Sequence, residues 1–81
     1  MSWKATGWAK GVRCRSSSQK FVLLVLADYY DDERAIAWPS QTRLAEDCQL
    51  DVRSVRRHLQ HLVDDGYLAI VQKANQYQGT H

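Results

Sequence analysis

The 81-residue sequence is poor in the residues that define several protein classes. Its two cysteines, Cys14 and Cys48, lack the CxxC spacing of a zinc site and are too few for a disulfide framework. The longest apolar run, Phe21 to Ala27, is too short to cross a bilayer. Basic residues interrupt the N-terminal segment, so we expect no signal peptide. These absences favour a cytoplasmic protein without a membrane partner.

Features of a catalytic site are also missing. The sequence has no glycine-rich phosphate loop and no pairing of a nucleophile with a base. His58 and His61 have a spacing that can hold a metal, but no third ligand stands nearby, which favours packed or half-exposed histidines. A chain of this length forms one domain at most and has no room for a deep cavity. We therefore expect no enzyme activity, no cofactor, no metal and no small-molecule substrate.

What the sequence does contain is a segregated charge pattern. The net charge is only +2, but residues 1–20 carry five basic residues and no acid. Residues 21–50 carry six acids and two basic residues, and residues 51–81 carry four basic residues and three acids. Basic segments on both sides of an acidic middle indicate a polyanionic partner rather than a membrane surface.

The start of the chain is predicted as a basic N-terminal arm, residues 1–17, followed by one domain, residues 18–81. Within the arm, a short helical turn from Ala5 to Lys10 and an extended conformation both stay open. The arm either contributes to binding the polyanionic partner or is merely solvated. Its charged residues are Lys4, Lys10, Arg13 and Arg15. Ser18 is expected to cap a buried helix from Ser18 to Tyr30, which is apolar nearly all round.

The middle of the chain is predicted as a turn, a strand and a second helix. Charged residues 31–34 form an exposed turn, and a short strand from Ala35 to Trp38 ends at Pro39. Ser40 is expected to cap the second helix, Gln41 to Cys48.

A third helix and a pair of strands complete the predicted fold. Asp51 is expected to cap this helix, and Asp65-Gly66 to end it. A strand from Tyr67 to Gln72 follows, and Asn75 to Tyr77 begins a returning strand. The fold class is therefore mainly α, with a three-helix core and short antiparallel strands.

The third helix separates an apolar face from a basic face. With Val55 at the centre of the inner face, Val52, Leu59, Leu62 and Val63 lie on the same side at helical spacing. Arg53, Arg57 and Gln60 lie opposite, and Arg56 is on the flank. A solvated face usually mixes charges of both signs, whereas residues 52–61 contain no acid. Arginine can fork guanine, and glutamine adenine, in the major groove of DNA.

Several stretches together resemble winged helix-turn-helix domains of phage and plasmid proteins. They are Met1–Thr6, Trp8–Ala9, Lys20–Asp28, Trp38–Asp47, Leu50–Leu59 and Leu62–Leu68. Many members of that family are replication initiators or small regulators. The resemblance implies a winged helix-turn-helix fold with a small β-wing, and a function in binding double-stranded DNA. It does not distinguish replication from repression or excision.

The expected DNA contacts lie on three elements. On the third helix they are Arg53, Ser54, Arg56, Arg57 and Gln60. At the start of the second helix, Gln41, Thr42 and Arg43 stand where a helix N-terminus favours phosphate, although capping alone explains Ser40. Lys73 is expected to contact phosphate from the wing.

The chain departs from the family pattern at three places. Gln49 stands where the turn usually has glycine, which costs on the order of 1 kcal/mol if this residue is left-handed. Asp51 replaces the usual serine, which keeps the cap but adds an acid near DNA. The wing, Lys73 to Asn75, is very short, so the third helix should supply most of the specificity.

Two functions are weighed. The first is sequence-specific binding of double-stranded DNA, either as a phage-type transcriptional regulator or as the origin-binding domain of a replication initiator, with homodimerisation left open. The alternative is a winged-helix module that binds protein and not DNA. Trp38 is expected to pack against the first predicted helix, whereas Trp3 or Trp8, if exposed, would suit self-association or a partner.

Overall fold

A computed structural model describes residues 3–31, 36–37, 39–70 and 77–79. These residues are mainly helical, as predicted, but they form four helices, and the first of them also joins the core for which three helices were expected. The helices are α1 (Trp3–Gly11), α2 (Ser17–Asp28), α3 (Gln41–Cys48) and α4 (Val52–Asp64). The strands are β1 (Tyr30–Asp31), β2 (Ile36–Ala37), β3 (Leu68–Ile70) and β4 (Tyr77–Gly79).

The N-terminal segment, for which a short helical turn and an extended conformation were both open, forms the nine-residue helix α1. Ala5 and Ala9 are buried in the same hydrophobic core as the later helices. The Lys20 ammonium, on α2, donates hydrogen bonds to the carbonyls of Ala9 (3.0 Å), Lys10 (2.7 Å) and Val12. Because the last carbonyls of a helix lack partners within it, this cation stabilises the end of α1. The boundary at residue 17 stays a prediction about domains.

The N-cap of the second helix, α2, lies two residues earlier in the chain than predicted. Ser16, not Ser18, is the N-cap, and its hydroxyl accepts a hydrogen bond from the backbone N–H of Gln19 at 3.1 Å. Of three consecutive serines, Ser16 has the extended backbone that a cap needs, with φ −156° and ψ 165°. The prediction of burial nearly all round is also wrong at Phe21, which is 47% exposed. The buried side is Val22, Leu23, Leu26 and Ala27.

The end of α2 leads into a strand that the sequence did not reveal. Tyr30 was predicted as helix and Asp31 as turn, but both belong to β1. In the antiparallel register, Tyr30 stands opposite Ala37 and Asp31 opposite Ile36. The predicted strand from Ala35 to Trp38 is therefore present at residues 36–37, while the rest of it, including the packing of Trp38, lies outside the described residues.

The pair α3–α4 has the boundaries that local capping signals predict. Ser40 Oγ accepts a hydrogen bond from the Arg43 N–H at 3.0 Å, and α3 runs from Gln41 to Cys48. Gln49 adopts the left-handed conformation, with φ 57° and ψ 41°. The chain then reverses within two residues, and the Leu50 N–H closes the turn on the Ala45 carbonyl at 3.0 Å. Both helices bury apolar residues in the common core, among them Leu44, Val55 and Leu62.

The strands form one antiparallel sheet in the order β1-β2-β4-β3. Asp65 ends α4, and Gly66, with φ 85°, provides the positive φ that turns the chain towards β3. β3 pairs with β4 from Leu68 opposite Gly79 to Ile70 opposite Tyr77. The strand predicted from Tyr67 to Gln72 therefore starts one residue later, at Leu68. Residues 71–76 of the predicted strands, with the expected tip from Lys73 to Asn75, lie outside the described residues.

Candidate nucleic-acid interface

The helix α4 is held to the core by one face, which leaves the opposite face open. Val55, Leu59 and Leu62 are buried, and His58 is only 8% exposed on the edge of the same face. Arg53, Arg57 and Gln60 are exposed on the other side, and Arg56 is exposed on the flank. The structure therefore separates the apolar and basic faces as the sequence pattern predicts.

The acid at the start of α4 is bound to the helix itself. Asp51 accepts a hydrogen bond from the Ser54 N–H at 3.0 Å and another from the Ser54 hydroxyl at 2.6 Å. These bonds, with that from the hydroxyl first in importance, hold the pKa of Asp51 below its ordinary value. The carboxylate therefore caps the helix, and the Ser54 hydroxyl, expected to contact DNA, is engaged as a donor within the protein.

Two arginines lie on the open face of α4. In the part of the chain that the structure describes, neither Arg53 nor Arg57 has a hydrogen-bond or ion-pair partner. They are four residues apart on successive turns of the helix, at a rise of about 6 Å. Two guanidinium groups are thus available to an external acceptor on one side of α4.

The flanking arginine joins the two helices of the pair. Arg56 Nε donates a hydrogen bond to Gln41 Oε1 at 3.1 Å, and Gln41 is the first residue of α3. This contact fixes the Arg56 side chain beside the N-terminus of α3, where backbone N–H groups favour an anion. Sequence reasoning predicted both residues as DNA contacts but did not foresee that they touch each other.

Farther along the open face of α4, the acid Asp64 lies next to Gln60, one of the residues predicted to contact bases. Gln60 Nε2 donates a hydrogen bond to Asp64 Oδ1 at 2.9 Å, and both side chains are exposed. The i,i+4 spacing on a helix is the signal that could have revealed this pair.

Comparison with known families identifies the domain. A family model described as "Helix-turn-helix domain" matches residues 16–68, more than half of the chain. The chain belongs to the helix-turn-helix domain family. The match begins at Ser16, the cap of α2, and ends at Leu68, the first residue of β3. Searches of curated proteins and of solved structures found no match.

The family assigns roles to the pair of helices described above. In helix-turn-helix proteins the second helix of the pair enters the major groove. In this chain α4 is the second helix of the α3–α4 pair. Membership indicates DNA binding in general, with DNA as the partner.

Arg43, which was predicted to contact DNA, instead contacts two side chains of the protein. Arg43 Nε donates to the Tyr29 hydroxyl at 3.1 Å and lies 3.3 Å from Asp47 Oδ1. The Tyr29 hydroxyl in turn donates to Asp47 Oδ2, and this bond raises the pKa of Tyr29. Arg43 therefore links α3 to the end of α2, while Thr42 is exposed at the first turn of α3. Sequence reasoning missed this cluster, although Arg43 and Asp47 have i,i+4 spacing.

The basic residues at the start of the chain do not all remain available. Arg15 forms an ion pair with Asp65, and Lys20 is bound to the end of α1. Lys4, Lys10 and Arg13 are exposed. Lys73, predicted as a phosphate contact, lies outside the described residues.

The described residues contain neither a cluster of metal ligands nor a membrane-spanning helix. No group of three or more histidine, cysteine, aspartate or glutamate side chains there could hold a metal ion. Cys14 and Cys48 are free cysteines, and burial raises the pKa of both thiols. None of the helices in this part of the chain is long and apolar enough to span a membrane.

Proposed function

We propose that this chain binds double-stranded DNA sequence-specifically, and that α4 reads bases in the major groove. The observation that carries the proposal is the open face of α4. Arg53 and Arg57 are exposed there without a partner among the described residues, while Val55 and Leu62 anchor the opposite face. A major groove about 12 Å wide admits a helix, and each guanidinium can fork O6 and N7 of a guanine.

The proposal assigns contacts with the DNA backbone to the junction of α3 and α4. Arg56 is held there by Gln41, and its terminal nitrogens have no other partner within the described residues. A phosphate at this position would also meet the N-terminus of α3, beside Ser40 and Thr42. Such contacts fix the register of the helix on the duplex but carry no base preference.

We also propose that the domain is of the winged type. The antiparallel pair of β3 and β4 directly after α4 supports this proposal, because a wing is a hairpin at that place in the chain. Its connection contains Lys73, which we assign to phosphate. A wing this short leaves most of the sequence reading to α4.

The biological setting is proposed from the resemblance of the sequence to phage and plasmid proteins. The chain would act in the cytoplasm of a bacterial host as a phage-type transcriptional regulator or as the origin-binding domain of a replication initiator. It would need no cofactor or metal and would catalyse no reaction. A dimer would recognise two half-sites about one helical turn apart.

Selection from randomised DNA duplexes with the purified chain tests this function. We expect an enriched motif that contains guanine, with affinity that falls steeply as salt rises. A repeated half-site would reveal a dimer, and its absence a monomer. No enriched sequence and no binding of any duplex at low salt would contradict the proposal.

A second candidate, a protein-interaction module, is favoured by one observation. Trp3 is 87% exposed at the start of α1, so that a large apolar side chain stands open to a partner. In this case the chain would bind no duplex, and Trp3→Ala would abolish association with a protein partner or a second copy. Normal DNA selection by the Trp3→Ala variant favours the first function.

A further inference from the structure

The open face of α4 changes character along its length. Arg53, Arg57, Gln60 and Asp64 all lie within about 60° of one another around the helix, at about 100° per residue. The face therefore begins with two cations and ends with an amide that is bound to a carboxylate. Gln60 Nε2 donates to Asp64 Oδ1 at 2.9 Å, and both side chains are exposed.

The contact with Asp64 fixes which way the Gln60 amide faces, a choice that is free in an unbonded glutamine. An amide can present its oxygen or its nitrogen to a partner, but an ionised carboxylate only accepts hydrogen bonds. Asp64 therefore requires the Gln60 amide to turn its nitrogen towards it. One N–H is used in this bond, which leaves one carbonyl oxygen and one further N–H of Gln60 for another partner.

The remaining groups match one base in particular. In the major groove, adenine presents the N6 amino donor beside the N7 acceptor, and guanine presents two acceptors. An oriented amide with one acceptor and one donor complements adenine and cannot pair with both groups of guanine. Gln60 lies about 10 Å farther along the helix axis than Arg53, which corresponds to about three base-pair steps.

We propose that Asp64 is a positioning residue that orients the Gln60 amide to read adenine in the major groove. The DNA site would then contain guanine at the position of Arg53 or Arg57 and adenine up to about three base pairs away. This inference rests on the proposed function, because it names the bases that the same face of α4 recognises.

The charge of Asp64 gives the inference a second, independent consequence. A carboxylate on the DNA-facing side of α4 repels phosphates and so opposes binding to DNA of any sequence. Its removal should weaken base preference and strengthen non-specific binding at the same time. A residue that merely stabilised the fold would lower both.

The substitution Asp64→Ala is suited to the test because it should not unfold the chain. Asp64 is the last residue of α4 and is exposed. The helix dipole disfavours an acid at this end, and alanine has a higher helix propensity than aspartate. Asp64→Asn removes the charge and replaces the acceptor-only carboxylate with an amide that can also donate to Gln60. Glu46→Ala removes an exposed acid from α3 as the matched control.

The experiment selects randomised duplexes with the full chain and these three variants, and measures affinity for an unrelated duplex. We expect Asp64→Ala to lose adenine preference at one position by on the order of tenfold and to keep its guanine preference. Non-specific affinity should rise in both Asp64→Ala and Asp64→Asn. Adenine preference should also fall in Asp64→Asn, because the asparagine amide can either accept from or donate to Gln60 and so no longer fixes its direction. Glu46→Ala should select as the unaltered chain does.

Two results would overturn the inference, and they are distinguishable. If the unaltered chain selects a motif and Asp64→Ala selects the same motif with equal adenine preference, Asp64 does not position Gln60, while the proposed function stands. If the unaltered chain binds no duplex, the proposed function fails and the inference fails with it.

Discussion

Arg15 and Asp65 are fifty residues apart in the chain and form an ion pair with two hydrogen bonds. Arg15 Nε donates to Asp65 Oδ2 at 2.9 Å, and a terminal nitrogen donates to Oδ1 at 2.7 Å. The Arg15 backbone N–H also donates to the buried Gln19 side chain at 2.6 Å. The segment between α1 and α2 is thereby attached to the end of α4, the candidate DNA-reading helix.

This ion pair should contribute stability that depends on pH. The hydrogen bonds from Arg15 lower the pKa of Asp65, so the folded state favours the ionised carboxylate. The contribution is present above the ordinary pKa of aspartate and is lost as pH falls through the lowered value in the folded state. We expect Arg15→Ala to destabilise the chain modestly at pH 7, by an amount that shrinks towards pH 3 in urea denaturation. An equal loss from Arg13→Ala, a neighbouring exposed arginine, would contradict the role of the pair.

Lys20 should determine whether α1 stays attached. Its ammonium donates to three carbonyls at and beyond the end of that helix, and hydrogen bonds to a charged group contribute roughly 1.5–3 kcal/mol. We expect Lys20→Met to lower the free energy of unfolding by about 2 kcal/mol. In this variant the rate of amide hydrogen exchange should rise more in α1 than in α3 and α4. Lys10→Met, which removes an exposed ammonium of α1, should change neither measurement.

Gln49 should be a site where glycine stabilises the domain. The residue is left-handed, with φ 57°, and a side chain in this conformation costs on the order of 1 kcal/mol. We therefore expect Gln49→Gly to raise the free energy of unfolding by up to about 1 kcal/mol. The same change at Glu46, inside α3, should lower it by about 1 kcal/mol. If both changes destabilise equally, Gln49 is not strained.

His58 should make the domain less stable in weak acid. Burial lowers the pKa of His58, and the nearby charges of Arg57 and His61 lower it further. The unfolded chain then binds a proton more readily than the folded chain, so stability falls as pH drops through the ordinary histidine pKa of 6.5. We expect His58→Leu to reduce this loss between pH 7.5 and about 5.5 in thermal denaturation. An unchanged pH profile in that variant would contradict burial as the cause.

The α3–α4 pair could be predicted from the sequence because its boundaries are set by local signals. Ser40 and Asp51 each cap a helix by bonding to an N–H three residues later, and this spacing is visible in the sequence. The faces of α4 could be predicted for the same reason, because they follow from helical periodicity alone.

Other features depend on contacts between residues that lie farther apart in the sequence. α1 contains Gly7 and is a poor helix by propensity, but Lys20 and the burial of Ala9 stabilise it. Tyr30 belongs to β1 because Ala37 stands opposite it. The direction of Arg43 depends on Tyr29, fourteen residues earlier. No local pattern contains these partners.

We propose above that the open face of α4 reads DNA through Arg53 and Arg57. The most direct test is the affinity of the double variant Arg53→Ala/Arg57→Ala for a duplex that the unaltered chain selects. Lys4→Ala/Lys10→Ala, which removes two exposed cations from α1, is the matched control.

We expect the arginine variant to lose on the order of tenfold to a hundredfold in affinity per residue, because each arginine that forks a guanine contributes roughly 1–3 kcal/mol of discrimination. The lysine variant should keep its preference for the selected duplex over an unrelated one. If the arginine variant binds the selected duplex as tightly as the unaltered chain does, α4 does not read the DNA and the account is wrong.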